Sequence, residues 1–285
     1  MAERYVWPPT VELGKVAREI ASERGLPLGE RFPMSRFAYA APLGEHVLKI
    51  TPPEDDQADH EADALLLWAG DGAARVLWHD PRRRALLLER IKPGNDASTV
   101  SDAEAVDALL DVSPRLWRPV EAGRFRSASG QTLGYLSKHA GAHPLVAVAH
   151  DLFVGLEPRE HVLLHGDLHH HNLLRGFDRW VAVDPKPLIG EREFDVAAFL
   201  WNPLDLWPTP ELTERRIAAF IAGGLEERRL RDWAIVRGAL WDLPLQRDED
   251  EARSRALAVV RHLLGGSSAH KTRAPRSSAR RLRSG

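Results

Sequence analysis

The stretch His161–Gly190, HVLLHGDLHHHNLLRGFDRWVAVDPKPLIG, decides how the rest of the chain reads. It sets His165, His169, His170 and His171 beside Asp167, Asn172 and Asp184. VLLH is a short apolar run that Gly166 breaks. NLLRGFDRWVAVD predicts a hairpin, two apolar segments turning about Gly-Phe-Asp-Arg. Asp167 and Asn172 then stand at the two ends of one loop, with Asp184 just past the following strand. Two chemistries compete for these residues: a transition-metal cluster of histidines, or a set of side-chain oxygens. Three consecutive histidines cannot all face one ion without an unusual turn. Zinc is better served by histidines four apart on a helix, and Gly166 with its flanking strand pattern argues against a helix here. His165 is expected to brace the loop, and His169 to His171 to be exposed or to shape a cleft. The oxygens carry the reading, because hard ligands suit Mg²⁺, which keeps waters and binds substrate phosphates.

HGDLHHHN resembles the catalytic loop of the aminoglycoside phosphotransferases, relatives of the protein kinases. In the kinase loop an aspartate stands five positions before an asparagine, which is the spacing of Asp167 and Asn172. Val183-Asp184-Pro185 resembles the metal-binding aspartate motif that follows it. The resemblance implies Asp167 as catalytic base or hydroxyl-orienting residue, Asn172 and Asp184 as holders of Mg²⁺, and ATP as phosphoryl donor. Phosphoryl transfer is mainly positioning and neutralisation of phosphate charge, so this oxygen set is what it needs. Asp195, at the start of FDVAAFL, resembles the family aspartate that braces the catalytic loop. A plain helix cap is the alternative role, and the two are compatible.

Such a site also needs a lysine on a strand paired with a glutamate on a helix. VLKI supplies Lys49. In a strand Leu48 and Ile50 point one way and Val47 and Lys49 the other, so Lys49 can face a cleft while its neighbours pack. Glu61 shares an apolar helical stripe with Ala58, Leu65 and Trp68. A carboxylate on a buried face is costly unless paired, and Lys49 is the natural partner. The bland alternative is a glutamate at the stripe's edge reaching solvent. LLLERI, Leu86–Ile91, matches the hinge between lobes, where adenine would bond to the backbone of Glu89 to Ile91; alone it reads as a buried strand. The glycine loop G-x-G-x-x-G of the protein kinases is missing. MSRFAYAAPLG stands in its place, and the resembled family does not depend on those glycines. Ser35 and Arg36 are the candidate phosphate contacts.

Outward from these motifs, Val11–Arg24 predicts an amphipathic helix stopped at Gly25. RFAYAAPLGEHVLKI predicts two strands around Pro42-Leu43-Gly44, and Arg75–Ile91 a second pair. EDDQADHEADALLLWAG between them predicts one helix, its early acids suited to the macrodipole. KPGNDAS reads as a connector, and from Thr99 the pattern is mostly helical, with Asp248–Arg253 an exposed helix start. The Ser/Arg/Ala-rich end, Gly265–Gly285, is expected to be disordered. The expected class is α+β, a bilobal protein-kinase-like fold. Residues 1–91 would form a small β-rich lobe and 92–265 a helical lobe with the catalytic loop, followed by a basic tail over 266–285.

Composition sets the outer bounds. The chain has 285 residues, 44% hydrophobic and 28% charged, with a formal net charge of −2. That suits a soluble globular protein with a sizeable core and makes no general case for nucleic acid or membrane. With no cysteine, disulfides, thiolate chemistry and finger-type zinc are excluded. MAERYVWPPTVELGK has no apolar run, so no secretory signal is expected. A cytoplasmic monomer is the expectation.

DPKPLIGEREFDVAAFLWNP, HEADALLLWAG and LLLERIKPG resemble the streptomycin 6-kinase and hydroxyurea phosphotransferase subgroup. The resemblance covers Ser35 to Pro203. It implies ATP- and Mg²⁺-dependent phosphorylation of a hydroxyl on a cationic antibiotic, the 6-hydroxyl of streptomycin, conferring resistance. A guanidino-bearing acceptor calls for carboxylates and aromatic faces. Glu193, Trp201, Asp205, Trp241 and Asp242 are the candidates, though each taken alone reads first as structural or solvated. The alternatives are a kinase of hydroxyurea or a sugar metabolite, and a nucleotide-binding pseudokinase acting as an interaction module. Lys49, Glu61, Asp167, Asn172 and Asp184, all intact, speak against the pseudokinase.

Overall fold

The period of two in the first sheet sets the layout. The computed structural model describes residues 10–33, 35, 38–121, 123–159, 162–242 and 251–266. After helix α1 (Thr10–Arg24) come β1 (Tyr39–Leu43), β2 (His46–Ile50), helix α2 (Glu61–Trp68), β3 (Val76–Asp80) and β4 (Ala85–Glu89). The four strands are antiparallel in the order β1-β2-β4-β3. Gly44 turns β1 into β2 at φ 58°, a conformation that costs glycine little. The turn lies slightly later than the sequence pattern predicts, because Pro42 and Leu43 still pair in β1.

Leu48, Ile50, Ala85 and Leu87 meet Leu13, Ala17, Ile20 and Ala21 of α1 in a small core. Leu86 and Leu88 join the large core with Leu65 and Trp68 of α2. Lys49 pairs with Leu86 across the ladder, so it stands on this second side.

The acidic run ahead of α2 does not all become helix. Asp56–Ala58 makes a single 3₁₀ turn, and the α-helix starts at Glu61. Arg84 donates to the Asp59 carboxylate and the Asp55 carbonyl, and Arg126 donates to Asp56. These tertiary bonds hold the acids in a turn where propensity and dipole alone would wind them.

The remaining elements are α3 (Asp102–Leu116), β5 (Arg126–Ser127), α4 (Ala128–Lys138), α5 (Pro144–Leu156), β6 (Val162–Leu164), β7 (Leu173–Arg175), β8 (Trp180–Ala182), β9 (Leu188–Gly190), α6 (Arg192–Val196), α7 (Pro210–Ala222), α8 (Glu227–Asp242) and α9 (Glu251–Gly266). α8 packs against α5 and α9 at the centre of the helical part. The strands β5, β9 and β6 form one small sheet, and β7 with β8 form the hairpin that the sequence predicts. FDVAAFL is not one α-helix. α6 ends at Val196 and a 3₁₀ turn covers Ala197–Trp201. The carbonyls of Phe199, Leu200 and Asn202 go to the buried guanidinium of Arg216 on α7. Residues 248–250 of the Asp248–Arg253 run and the basic tail after Gly266 lie outside the described residues, and the backbone of α9 begins at Glu251. Among the described residues no helix is long and apolar enough to cross a membrane.

Candidate active site

β6 delivers the chain into the loop 165–172 and the β7–β8 hairpin returns it to Asp184. Gly166 makes the loop possible. It sits at φ 83°, and a Cβ there would lie 1.9 Å from the Lys186 carbonyl oxygen, so only glycine fits. Three fixings hold the loop. The Asp195 carboxylate accepts the N–H groups of His165 at 3.0 Å and Gly166 at 2.7 Å. Arg237 of α8 donates to the Gly166 carbonyl at 3.0 Å. The Lys186 N–H donates to the His165 carbonyl at 2.8 Å.

Asp167 and Asn172 face each other across the loop. Asn172 Nδ2 donates to the Asp167 carbonyl at 2.8 Å and lies 3.4 Å from its Oδ2. Burial alone would raise the Asp167 carboxyl, but His169 beside it wins and holds it down at about 2. Asp167 is therefore ionised and able to accept a proton or orient a hydroxyl.

Asp184 lies across from them at φ 57°, the left-handed region, which aspartate enters more readily than most residues. Its Oδ1 is 2.5 Å from Lys49 Nζ and 3.5 Å from Lys186 Nζ. Burial would raise this carboxyl too, yet the two lysines keep it well below the usual range. Lys49 Nζ also meets Glu61 Oε1 at 2.5 Å, where Glu61 is 2% exposed. Burial opposes the Lys49 charge, but Asp184 and Glu61 outweigh it and raise the ammonium above its ordinary value. Burial also pushes the Glu61 carboxyl up, so its ionised form depends on Lys49.

The four histidines point to different partners. His165 is buried and stacked on Trp68, and its Nε2 is 3.0 Å from the Val183 carbonyl, so that nitrogen donates. His169 Nε2 lies 3.7 Å from Asp167. His170 stacks on Phe199 with ring centres 3.7 Å apart, and burial and Arg216 push it down to about 2. His171 Nδ1 meets Asp96 at 2.9 Å. Among the described residues no three His, Cys, Asp or Glu side chains converge on a common point for a metal. The oxygen set does fit Mg²⁺. With Nδ2 of Asn172 turned to Asp167, its Oδ1 has no partner among the described residues. Asp184 keeps 45% of its side chain exposed.

Comparison with known proteins gives this geometry a family. Residues 41–248 match the family described as aminoglycoside/hydroxyurea antibiotic resistance kinase. The chain belongs to that family. It is 35% identical over 213 residues to a streptomycin 3''-kinase of Klebsiella pneumoniae, covering 67% of this chain and 76% of that one. It is 30% identical over 249 residues to a hydroxyurea phosphotransferase of Kitasatospora aureofaciens, covering 78% and 68%. It is 29% identical over 225 residues to a streptomycin 6-kinase of Streptomyces glaucescens, covering 69% and 70%. In fold it is similar to a thermostable mutant of aminoglycoside phosphotransferase APH(4)-Ia in a ternary complex with ADP and hygromycin B. That match has a TM-score of 0.61 and 17% identity and covers 87% of this chain and 98% of that one. The fold is thus the bilobal kinase-like one, and the chain is a kinase-family phosphotransferase.

Within this family member, the outlying candidates separate from the central set. Glu89 spends its N–H on the Arg75 carbonyl, and its carboxylate takes the Arg75 N–H and the Arg179 guanidinium. Ile91 lies two residues past the end of β4, half-buried. The Ser35 hydroxyl donates to the Ala38 carbonyl at 2.5 Å, and Arg36 lies outside the described residues. Glu193 accepts the Glu226 N–H ahead of α8, and Trp201 is buried in the large core. Asp205 lines a cleft of about 510 Å³ together with Val100, His170, Trp207, Leu212 and Arg215. Trp241 and Asp242 end α8, but their side chains lie outside the described residues. Asp195 does not cap its own helix. It lies inside α6 and turns to the loop and to Trp117 Nε1.

Sequence reasoning missed Lys186, Arg237 and Asp96. Lys186 had a signal, since it is a cation two residues past Asp184. Arg237 and Asp96 had none, because tertiary packing alone brings them to the loop.

Proposed function

We propose that the chain transfers the terminal phosphoryl group of ATP to the 6-hydroxyl of streptomycin, and so confers resistance to it. The observation that supports phosphoryl transfer is the convergence of Glu61 and Asp184 on Lys49, beside a loop that pairs ionised Asp167 with Asn172; streptomycin and its 6-hydroxyl rest on the resemblance. Asp167 orients the acceptor hydroxyl and accepts its proton. Lys49, held by Glu61, binds the donor phosphates, and backbone at Glu89 to Ile91 receives the adenine, with the lobes meeting near Ile91. Glu89 reaches adenine through its carbonyl, since its N–H is used. Asp184 and Asn172 Oδ1 would hold Mg²⁺, which supplies neutralisation of phosphate charge when bound. Asp195 and His165 fix the loop, and Ser35 can turn to phosphate only by giving up Ala38. The cleft at Asp205 suits the non-reacting part of the acceptor, in a size range usual for small-molecule sites. Glu193 and Trp201 are otherwise engaged, so among the candidates whose side chains are described Asp205 is the carboxylate placed for a cationic group.

Steady-state kinetics with streptomycin, kanamycin and hydroxyurea on one preparation test the reading, with mass spectrometry and NMR of the product locating the phosphate. A charged guanidino sugar offers several charge-assisted contacts, each worth roughly 1.5–3 kcal/mol away from water, and hydroxyurea offers few. Streptomycin should have much the higher specificity constant, and kanamycin should be a poor acceptor. Phosphate on the 3''-hydroxyl would move the regiochemistry. Turnover of hydroxyurea with none of streptomycin would replace the acceptor.

A further inference from the structure

The Lys186 ammonium has no task toward nucleotide or acceptor in the reading above, yet its placement repeats that of Lys49. Lys49 Nζ lies 2.5 Å from Asp184 Oδ1 and 2.5 Å from Glu61, in the first turn of α2. Lys186 Nζ lies 3.5 Å from the same Asp184 oxygen and 3.5 Å from Asp55 Oδ2, in the turn ahead of α2. Two ammonium groups therefore share one carboxylate oxygen, and each has its own carboxylate anchor from the small lobe. A divalent cation held by Asp184 would offset that carboxylate's charge and weaken its hold on both ammonium groups. Each anchor then keeps its lysine within reach of an incoming polyphosphate. Among the described residues of the segment before β2, the one side chain the sequence offered for phosphate is already engaged. The segment MSRFAYAAPLG carries a single glycine, and the Ser35 hydroxyl is spent on Ala38.

We propose that Lys186 is a second phosphate-binding lysine, anchored by Asp55 as Lys49 is anchored by Glu61, and that it contacts the terminal phosphate of the nucleotide. The inference rests on the phosphotransferase reading. The end of the nucleotide follows from position. A kinase strand lysine serves the inner phosphates, whereas Lys186 is bonded by its N–H to the His165 carbonyl and packs its own carbonyl over Gly166, next to Asp167.

Calorimetric titration of the full chain with Mg²⁺ and either AMP-PNP or ADP, without acceptor, tests it. Lys186→Met should weaken AMP-PNP binding about tenfold and ADP binding much less, as expected for one lost contact to a charged oxygen. Lys186→Arg should keep most of the AMP-PNP affinity, and Asp55→Asn should lose part of it. Melting temperatures of the variants guard against unfolding. Equal losses for both nucleotides, or no loss, would overturn the inference while leaving the phosphotransferase reading in place. Failure of the unmutated chain to bind either nucleotide would sink that reading first, and this inference with it.

Discussion

Asp195 and Gly166 meet at 2.7 Å, carboxylate to backbone N–H, in the fully buried foundation of the loop that carries Asp167. The same carboxylate also takes the His165 N–H and the Trp117 indole N–H. Asp195→Ala leaves three buried donors without an acceptor, each costing about 1–3 kcal/mol. Urea unfolding should show a loss of about 3 kcal/mol or more, with turnover falling in the surviving folded protein. A loss under about 1 kcal/mol would mean that water replaces the carboxylate and that the loop does not depend on it.

Gly166→Ala tests the same loop from the other side. The added carbon would sit 1.9 Å from the Lys186 carbonyl oxygen at a φ of 83°. Backbone has to move, and the Asp195 bonds and the Asp167 position move with it. We expect at least a hundredfold drop in kcat, since small displacements of reacting groups cost this much. Near-normal turnover would show that the loop has slack.

Lys49→Met and Glu61→Gln should differ. Removing the lysine strands a buried carboxylate, a change that typically costs about 3–5 kcal/mol unless the acid takes up a proton. On the proposed function it would also remove a charge from the nucleotide phosphates. Glu61→Gln keeps an acceptor oxygen near Lys49, and Asp184 still holds the ammonium at 2.5 Å. Severe loss of kcat and of stability is expected for Lys49→Met and a milder loss for Glu61→Gln, measured by ATP kinetics and urea unfolding. Equal effects would mean that the lysine works only through Glu61.

The central site was legible because it rests on local rules. Loop residues at fixed spacing, strand alternation at Leu48, Lys49 and Ile50, and a glutamate on an apolar stripe all survive without knowledge of packing. The misses come from tertiary override. The acids Asp55, Asp56 and Asp59 look like a helix start, but Lys186, Arg126 and Arg84 hold them in a turn. FDVAAFL has a helical pattern, but Arg216 on α7 takes its carbonyls. Glu193 and Trp201 have the chemistry of an acceptor pocket and serve a helix end and a core instead. Composition names a side chain's abilities, and packing chooses among them.

Acid should loosen the helical part through Glu214. This residue of α7 binds Arg231 of α8 with both oxygens, at 2.9 and 2.6 Å, and His262 of α9 at 2.7 Å. Arg231 is the main cause that holds its carboxyl down at about 2, against an ordinary value of 4.5. The folded chain therefore keeps Glu214 ionised over a range where the unfolded chain takes up a proton. A depressed folded value gives stability that is present above pH 4.5 and lost as the pH falls toward about 2. Glu214 is 42% exposed, so solvent and salt screen the effect and keep it modest. The expected result is a melting-temperature gap between the unmutated chain and Glu214→Gln that is open near pH 5, closes progressively below pH 4.5, and narrows with added salt. Thermal melts of both proteins by circular dichroism across that range measure it. A gap that widens as acid is added would have the opposite sign and would rule out the ion pairs as its source.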